Sequence, residues 1–306
     1  MLISYLVTVF NKEESISQTL LAILAQNLPN NISLEIVCVD DASTDRSPHI
    51  IKEFQTNHPN IKLIINKINS GPSISINTAA REARGNLFFP IDGDDYIPQN
   101  HADTLVKISE KYNVELIFGK SRRSNNPPKN IPEIKENGID LDDHPLEFCL
   151  KHKICHMGFL VSAKIWHEAK GAYEAVFIQD QSLPMRLSHK CKRLAFIKQE
   201  IYFLSERSKN NLSRNTNQQH HDRFFSCRDM LSIIDLSSAC KFFLKVQVIA
   251  SVWKCHRDNN FWKALFSLNF LIYLSNKVLK TTYSERRGLV WLEYFNKLDG
   301  VRRISE

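Results

Sequence analysis

Five short β-branched runs, centred near Val7, Val37, Leu63, Phe88 and Leu116, follow one another at gaps of 30, 26, 25 and 28 residues. This rhythm restricts the fold more tightly than any other feature of the chain. The segments between the runs carry helical stripes. Ile16, Leu20, Ile23 and Leu24 recur at i, i+4, i+7 and i+8, and Ile50, Ile51 and Phe54 repeat the pattern. Asn11 followed by Glu14 reads as a capping pair for the first helix. Strands alternating with helices at this spacing predict right-handed βαβ units, and hence a mostly parallel α/β sheet with flanking helices. Such sheets bind ligands beyond the carboxyl ends of their strands, so chemistry is expected there.

The rest of the 306 residues is less regular. Residues 120–145 are polar and rich in Asn, Pro and Lys, which predicts a loop. Apolar patterning returns at Leu146 to Leu150 and Phe159 to Ile165, and Leu194 to Leu204 is strand-like. Residues 205–221 are polar again, and from Phe224 onward the pattern is helical. The expected division is therefore an α/β unit over 1–215 and a helical, basic region over 216–306. The apolar opening, Leu2 to Phe10, runs into Asn11-Lys12-Glu13-Glu14 and reads as a first strand, not a signal peptide. Leu265 to Leu279, interrupted by Asn269, Asn276 and Lys277, is too short and too polar to span a bilayer. Seven scattered cysteines suit a reducing, cytoplasmic setting better than a disulfide framework. The net charge of +7 is uneven, because residues 1–118 carry 9 Lys/Arg against 14 Asp/Glu. Phosphates would meet that acidic half, which argues against a nucleic-acid partner.

Acidic clusters fall at strand ends. Asp40-Asp41-Ala42-Ser43-Thr44-Asp45 follows Ile36-Val37-Cys38-Val39, and Asp92-Gly93-Asp94-Asp95 follows Leu87 to Ile91. A weaker third, Gln179-Asp180, follows Val176-Phe177-Ile178. Adjacent carboxylates repel and are costly to desolvate, so they seldom serve packing. At a strand end they form a hard-oxygen site suited to Mg²⁺ or Mn²⁺ and through it to a diphosphate.

Four motifs in order give the chain a specific resemblance. Val7-Thr8-Val9-Phe10-Asn11-Lys12-Glu13-Glu14 comes first, then Val39 to Asp45, then Asn69-Ser70-Gly71-Pro72-Ser73 with Asn77, then Ile91 to Pro98. Over roughly residues 1–215 the sequence resembles the family-two glycosyltransferases of the GT-A fold, a Rossmann-like sheet. The resemblance implies that Thr8, Phe10 and Glu13, with Glu14, line a nucleotide pocket, and that Asp41 reads the base edge. It places Asp92 near ribose and metal, Asp94 as ligand of a Mn²⁺ or Mg²⁺ ion, and Asp95 as the extra acid beside it. Asp180 would be the catalytic base, at the head of a helix carrying Arg186 and Leu187. Arg207, with Ser213, would belong to a loop that closes over the diphosphate. Two positions depart from the family pattern: Ile76 stands where an arginine is usual, and Gln179 where a glutamate is usual.

Other candidates weigh less. His152, Cys155 and His156 lack the further ligands a structural zinc site needs, so Cys155 reads as a small buried residue. His220 and His221 read as loop residues. Phe261, Leu265, Leu268, Ile272 and Leu279 form a helical stripe, with Trp262, Phe266, Phe270 and Tyr273 around it and basic residues throughout. That pattern fits a helix lying on an anionic membrane surface. It fits equally a face packed on the catalytic domain or on a second subunit of an oligomer.

The expected function is an inverting, metal-dependent glycosyltransferase using a nucleotide sugar, UDP-linked for preference. Its acceptor would be a glycan or a lipid-linked molecule in surface polysaccharide or lipopolysaccharide synthesis, met at the inner face of the cytoplasmic membrane. A nucleotidyltransferase is disfavoured, because Asn11-Lys12-Glu13-Glu14 stands where a Gly/Arg/Lys-rich phosphate loop would follow the first strand. An inactive nucleotide-sugar-binding or membrane scaffold is the non-enzymatic alternative, to be separated by calorimetric measurement of UDP binding with Mn²⁺.

Overall fold

The computed structural model describes residues 1–124, 126–206 and 215–303. The expected alternation is present as β1 (Leu2–Val9), α1 (Ile16–Leu24), β2 (Ser33–Asp40), α2 (Ser47–Asn57), β3 (Ile61–Ile65), α3 (Pro72–Glu82), β4 (Leu87–Asp92), α4 (His101–Tyr112) and β5 (Leu116–Arg123). Seven consecutive residues of β1, Ile3 to Val9, are buried, as expected of a central strand covered by helices on both faces. Proline begins α3, where its missing N–H costs no hydrogen bond. The predicted capping pair does not form. Asn11 adopts a left-handed conformation (φ 52°), and its Oδ1 accepts from Thr44 N at 2.8 Å, so Asn11 ties the β1 loop to the β2 loop instead.

Parallel pairing runs β3–β2–β1–β4. The chain winds outward from β1 through β2 to β3, then returns to the opposite side of β1. The connection therefore reverses between β1 and β4, and their carboxyl ends diverge into a crevice. Beyond β4 lie β6 (Ile139–Asp142), α5 (Pro145–His152), β7 (Leu160–Ser162), α6 (Ala163–Ala169), α7 (Leu183–Lys190) and β8 (Leu194–Leu204). Short β7 sits antiparallel between β4 and β5, and β8 runs parallel to β5. Among the described residues the sheet has eight strands, mostly parallel, in the order β3-β2-β1-β4-β7-β5-β8-β6. Part of the polar 120–145 stretch is thus not loop: it completes β5 and supplies the edge strand β6. All four β6 residues are only half-buried, so no apolar run betrays them.

The C-terminal part is helical: α8 (Thr216–Leu231), α9 (Ser238–Asn259), α10 (Phe261–Leu265), α11 (Leu268–Leu279) and α12 (Glu285–Asn296). Its apolar residues join the core of the sheet in one contiguous cluster, with Phe224 stacked on Phe295 at 4.3 Å and α9 packed on α5. The predicted continuous stripe from Phe261 to Leu279 is broken. Ser267 caps a new helix, accepting from Phe270 N, and the apolar residues point two ways. Phe270 and Tyr273 pack on Trp253, while Trp262, Phe266 and Val278 are 70%, 85% and 69% exposed. Among the described residues no helix is long and apolar enough to cross a membrane. All seven cysteines are unpaired.

Candidate active site

The crevice at the ends of β1 and β4 opens into a cleft of about 1030 Å³. Strand register sets Thr8 beside Asp92. Thr8 Oγ1 donates to Asp92 Oδ1 at 3.0 Å, and Gln179 Nε2 donates to the same oxygen at 2.8 Å. Burial, then the nearby Asp94 carboxylate, pushes the Asp92 carboxyl up to about 6 despite these donors. Gly93 is required by close approach: its N–H donates to Thr8 O at 2.9 Å, and a Cβ there would fall 2.9 Å from that oxygen. Asp94 is ion-paired with Lys12 across the cleft floor. Asp95 is buried, and its Oδ1 accepts from Ser205 N at 3.0 Å. Burial, with Asp94 and Asp92 close by, holds the Asp95 carboxyl well above the usual carboxylate range.

Asp180 faces the same cleft from a single 3-10 turn, Gln179–Gln181. The turn is anchored from behind. Ile178 N donates to Asp222 Oδ2 at 2.8 Å, and Asp222 Oδ1 also meets Gln218 Nε2 at 2.9 Å and His221 Nδ1 at 2.7 Å. Asp222 and Gln218 are fully buried on α8, the first helix beyond the expected division at residue 215. Burial pushes the Asp180 carboxyl up to about 7, with the Arg223 guanidinium pulling it down and Asp92 adding to the rise. A carboxyl poised near neutrality can exchange a proton with a substrate.

The remaining expected residues divide. Thr8, Phe10, Asp41, Asp92, Asp94 and Asp180 line the cleft together. Asp41 already accepts from Asn66 Nδ2 (2.8 Å), Ser70 N (2.9 Å) and Gly71 N (2.8 Å), which leaves room for about one more donor. Gly71 has φ +87°, and a Cβ would fall 2.7 Å from the Phe177 ring, so only glycine lets that loop reach Asp41. Glu13 is not brought to the cleft. Its Oε2 accepts from Arg46 N at 3.0 Å at the head of α2, because Asn11 turns the chain toward the β2 loop. Arg207 and Ser213 lie outside the described residues.

The two departures have structural settings. Ile76 is fully buried in α3, and Asn77 holds the 172–174 segment through Ala172 N, Ala172 O and Glu174. Gln179 does what an ionised glutamate could not, donating to Asp92 inside an acidic cluster. His221 is buried on α8 and His220 meets Asp258 at 3.0 Å, so neither is a loop residue; the polar run hid a helix whose buried side chains are themselves polar. Lys12, Gln218, Asp222, Arg223 and Arg302 take part in the site without having been anticipated. Spacing gave no signal for the last four, which approach through tertiary packing.

Among the described residues no group of three or more His, Cys, Asp or Glu side chains converges as a metal cage. Asp92 and Asp94 offer two carboxylates. Mg²⁺-type ions are commonly held by one or two carboxylates, with phosphate oxygens and water completing the shell. The donor set fits an ion that arrives with a diphosphate, and does not fit a resident one.

Comparison with known proteins agrees with the fold and extends it. Residues 4–202 match the family model described as Glycosyl transferase family 2. A poly(ribitol-phosphate) beta-glucosyltransferase of Bacillus spizizenii is 30% identical over 189 residues, covering 60% of this chain and 30% of that protein. Chondroitin synthase of Escherichia coli is 25% identical over 175 residues, 57% of this chain and 24% of that one. The chain thus spans less than a third of the length of either relative. Among solved structures, S. aureus TarS 1–349 in complex with UDP-GlcNAc superposes with a TM-score of 0.69 at 18% identity, covering 90% of this chain and 79% of that one. The mannosyltransferase PcManGT from Pyrobaculum calidifontis, in complex with GDP-Man and Mn²⁺, gives 0.59 at 17% identity, covering 96% and 84%.

The Gln179–Asp92 hydrogen bond yields a direct test. Gln179→Glu replaces a donor with a second buried carboxylate, so it should destabilise the fold by about 1–3 kcal/mol at pH 8. The loss should shrink at pH 5, where the added acid is neutralised. Urea unfolding with metal chelated reads this, and equal stability of the two proteins at pH 8 would contradict the bond.

Proposed function

The chain belongs to glycosyl transferase family 2, and on that premise we propose that it is an inverting glycosyltransferase. It moves a sugar from a nucleoside-diphosphate sugar to a hydroxyl of a glycan or lipid-linked acceptor. The observation that carries this reading is the pairing of two kinds of acid in one cleft: the strand-end group Asp92, Asp94 and Asp95, and the separately anchored Asp180, poised near pH 7. A UDP-linked donor is favoured by the UDP-GlcNAc bound to TarS, which shares the fold. Surface polysaccharide or lipopolysaccharide synthesis is the setting proposed, in line with the polymer named for the B. spizizenii relative.

In this mechanism Thr8, Phe10 and Asp41 bind the nucleotide, Asp41 spending its remaining acceptor capacity on the base edge. Asp92 and Asp94 would hold Mn²⁺ or Mg²⁺, which when bound offsets charge developing on the departing diphosphate. Lys12 places a cation beside Asp94 at the same end. Asp180, ionised, takes the proton of the acceptor hydroxyl as its oxygen attacks the anomeric carbon. The bond from that carbon to the diphosphate breaks, the electron pair leaves with the nucleoside diphosphate, and configuration inverts.

A second proposal concerns where the acceptor is met. The exposed faces of α10, α11 and α12 carry Trp262, Phe266, Leu271, Val278 and Leu289 together with exposed Lys263, Lys277, Lys280 and Arg286. Apolar area ringed by cations suits an anionic bilayer surface, with each basic residue adding ~1 kcal/mol at low salt.

Two experiments test these readings. Nucleoside diphosphate release from a panel of sugar nucleotides should identify a donor, and Asp180→Asn should lower turnover at least ~10²-fold while leaving nucleotide affinity intact. Because the base must be ionised, wild-type turnover should fall as pH drops through about 7. Loss of nucleotide affinity in the variant would place Asp180 in the wrong role. For the membrane, the chain should co-float with anionic liposomes at low salt and less at high salt; equal recovery with neutral and anionic vesicles, or none with either, would refute docking.

A further inference from the structure

Arg302 reaches the cleft from the far end of the chain. Its guanidinium carbon lies 6.0 Å from the centroid of the Phe10 ring and 5.3 Å from that of Phe177. The backbone behind it is fixed. Arg302 N donates to Gln218 Oε1 at 2.6 Å, and Gln218 Nε2 donates back to Arg302 O at 3.1 Å. The same fully buried amide donates to Asp222, which holds the Asp180 turn through Ile178 N. Arg303 adds bonds to the carbonyls of Phe295 (3.2 Å) and Leu298 (2.6 Å), and Asn215 Nδ2 donates to Gly300 O at 2.9 Å. Residues 300–303 are therefore bolted to the helices, while the Arg302 side chain stays exposed at the cleft wall.

The place it occupies is informative. Phe177 packs on Gly71, whose N–H is bound by Asp41, so Phe10, Phe177, Asp41 and Arg302 belong to one corner. That corner offers aromatic faces, a carboxylate with about one acceptor position left, and a planar cation. A flat heteroaromatic ring with an N–H edge matches all three: faces for stacking, an edge for Asp41, and a π-system for the guanidinium.

We infer that Arg302 caps the nucleobase subsite, lying over the donor's base as it lies over Phe10 and Phe177. This rests on the nucleotide-sugar reading above and adds to it a binding residue supplied by the C-terminal region. It also gives residues 300–303 a role in substrate binding that helix packing alone would not.

The test titrates UDP and inorganic diphosphate, each with Mn²⁺ and to millimolar concentration, against wild type, Arg302→Ala and Arg302→Lys, with melting temperature as readout. Arg302→Ala should melt normally without ligand and bind UDP about five- to tenfold more weakly, with Arg302→Lys in between. Inorganic diphosphate, lacking a base, should act identically on wild type and both variants. Unchanged UDP affinity in Arg302→Ala overturns the inference alone. An equal loss for inorganic diphosphate also overturns it, making Arg302 a phosphate ligand. A wild-type chain indifferent to UDP, and to GDP, ADP and CDP titrated in the same way, overturns this inference and the proposed function together.

Discussion

Crowding three carboxyl groups into four residues at a strand end is the constraint around which the structure is arranged. Ionised together they would repel across a poorly solvated strand end, at a cost no packing could offset. The chain answers with several devices. Thr8 and Gln179 donate to Asp92, Lys12 pairs with Asp94, and burial raises the hold of Asp95 on its proton. Each device depends on the parallel β1–β4 pairing, since only that register sets Thr8 beside Asp92 and brings Gly93 against the β1 backbone. A cluster that is strained alone becomes tolerable in company.

The C-terminal helices are part of this arrangement and not a separate appendage to it. Asp222 and Gln218, both fully buried on α8, direct their hydrogen bonds to the Asp180 turn and to the Arg302 segment. The Asp180 turn and the cleft corner at Phe10 are thereby linked through two side chains of α8. Loosening either side chain would disturb both ends of the cleft, which is a reason for α8 to carry polar residues in its core.

Much of this was legible in the sequence where the signal is periodic or local. Five strands, their order of appearance and the strand-end acids follow from spacing and from the improbability of adjacent buried carboxylates. The edge strand β6 was missed because half-buried residues leave no alternation to read. Asn11 misled because its side chain serves Thr44 across a loop and not its own helix. The aromatic stripe misled because Ser267 starts a new helix within it, and Phe270 and Tyr273 turn in to Trp253 while Trp262, Phe266 and Val278 stay exposed. Gln218, Asp222 and Arg302 left no local trace at all: their roles arise from contacts between segments far apart in sequence.

The central claim is that the strand-end acids serve a diphosphate through a divalent ion that binds with it. Calorimetric titration of UDP into the chain, with Mn²⁺ and again with the metal chelated, tests this most directly. The account predicts UDP binding that is strong with Mn²⁺ and at least about tenfold weaker without it, while Mn²⁺ alone binds weakly for want of a third protein ligand. Equal UDP affinity in both conditions, or tight binding of Mn²⁺ without nucleotide, would contradict it.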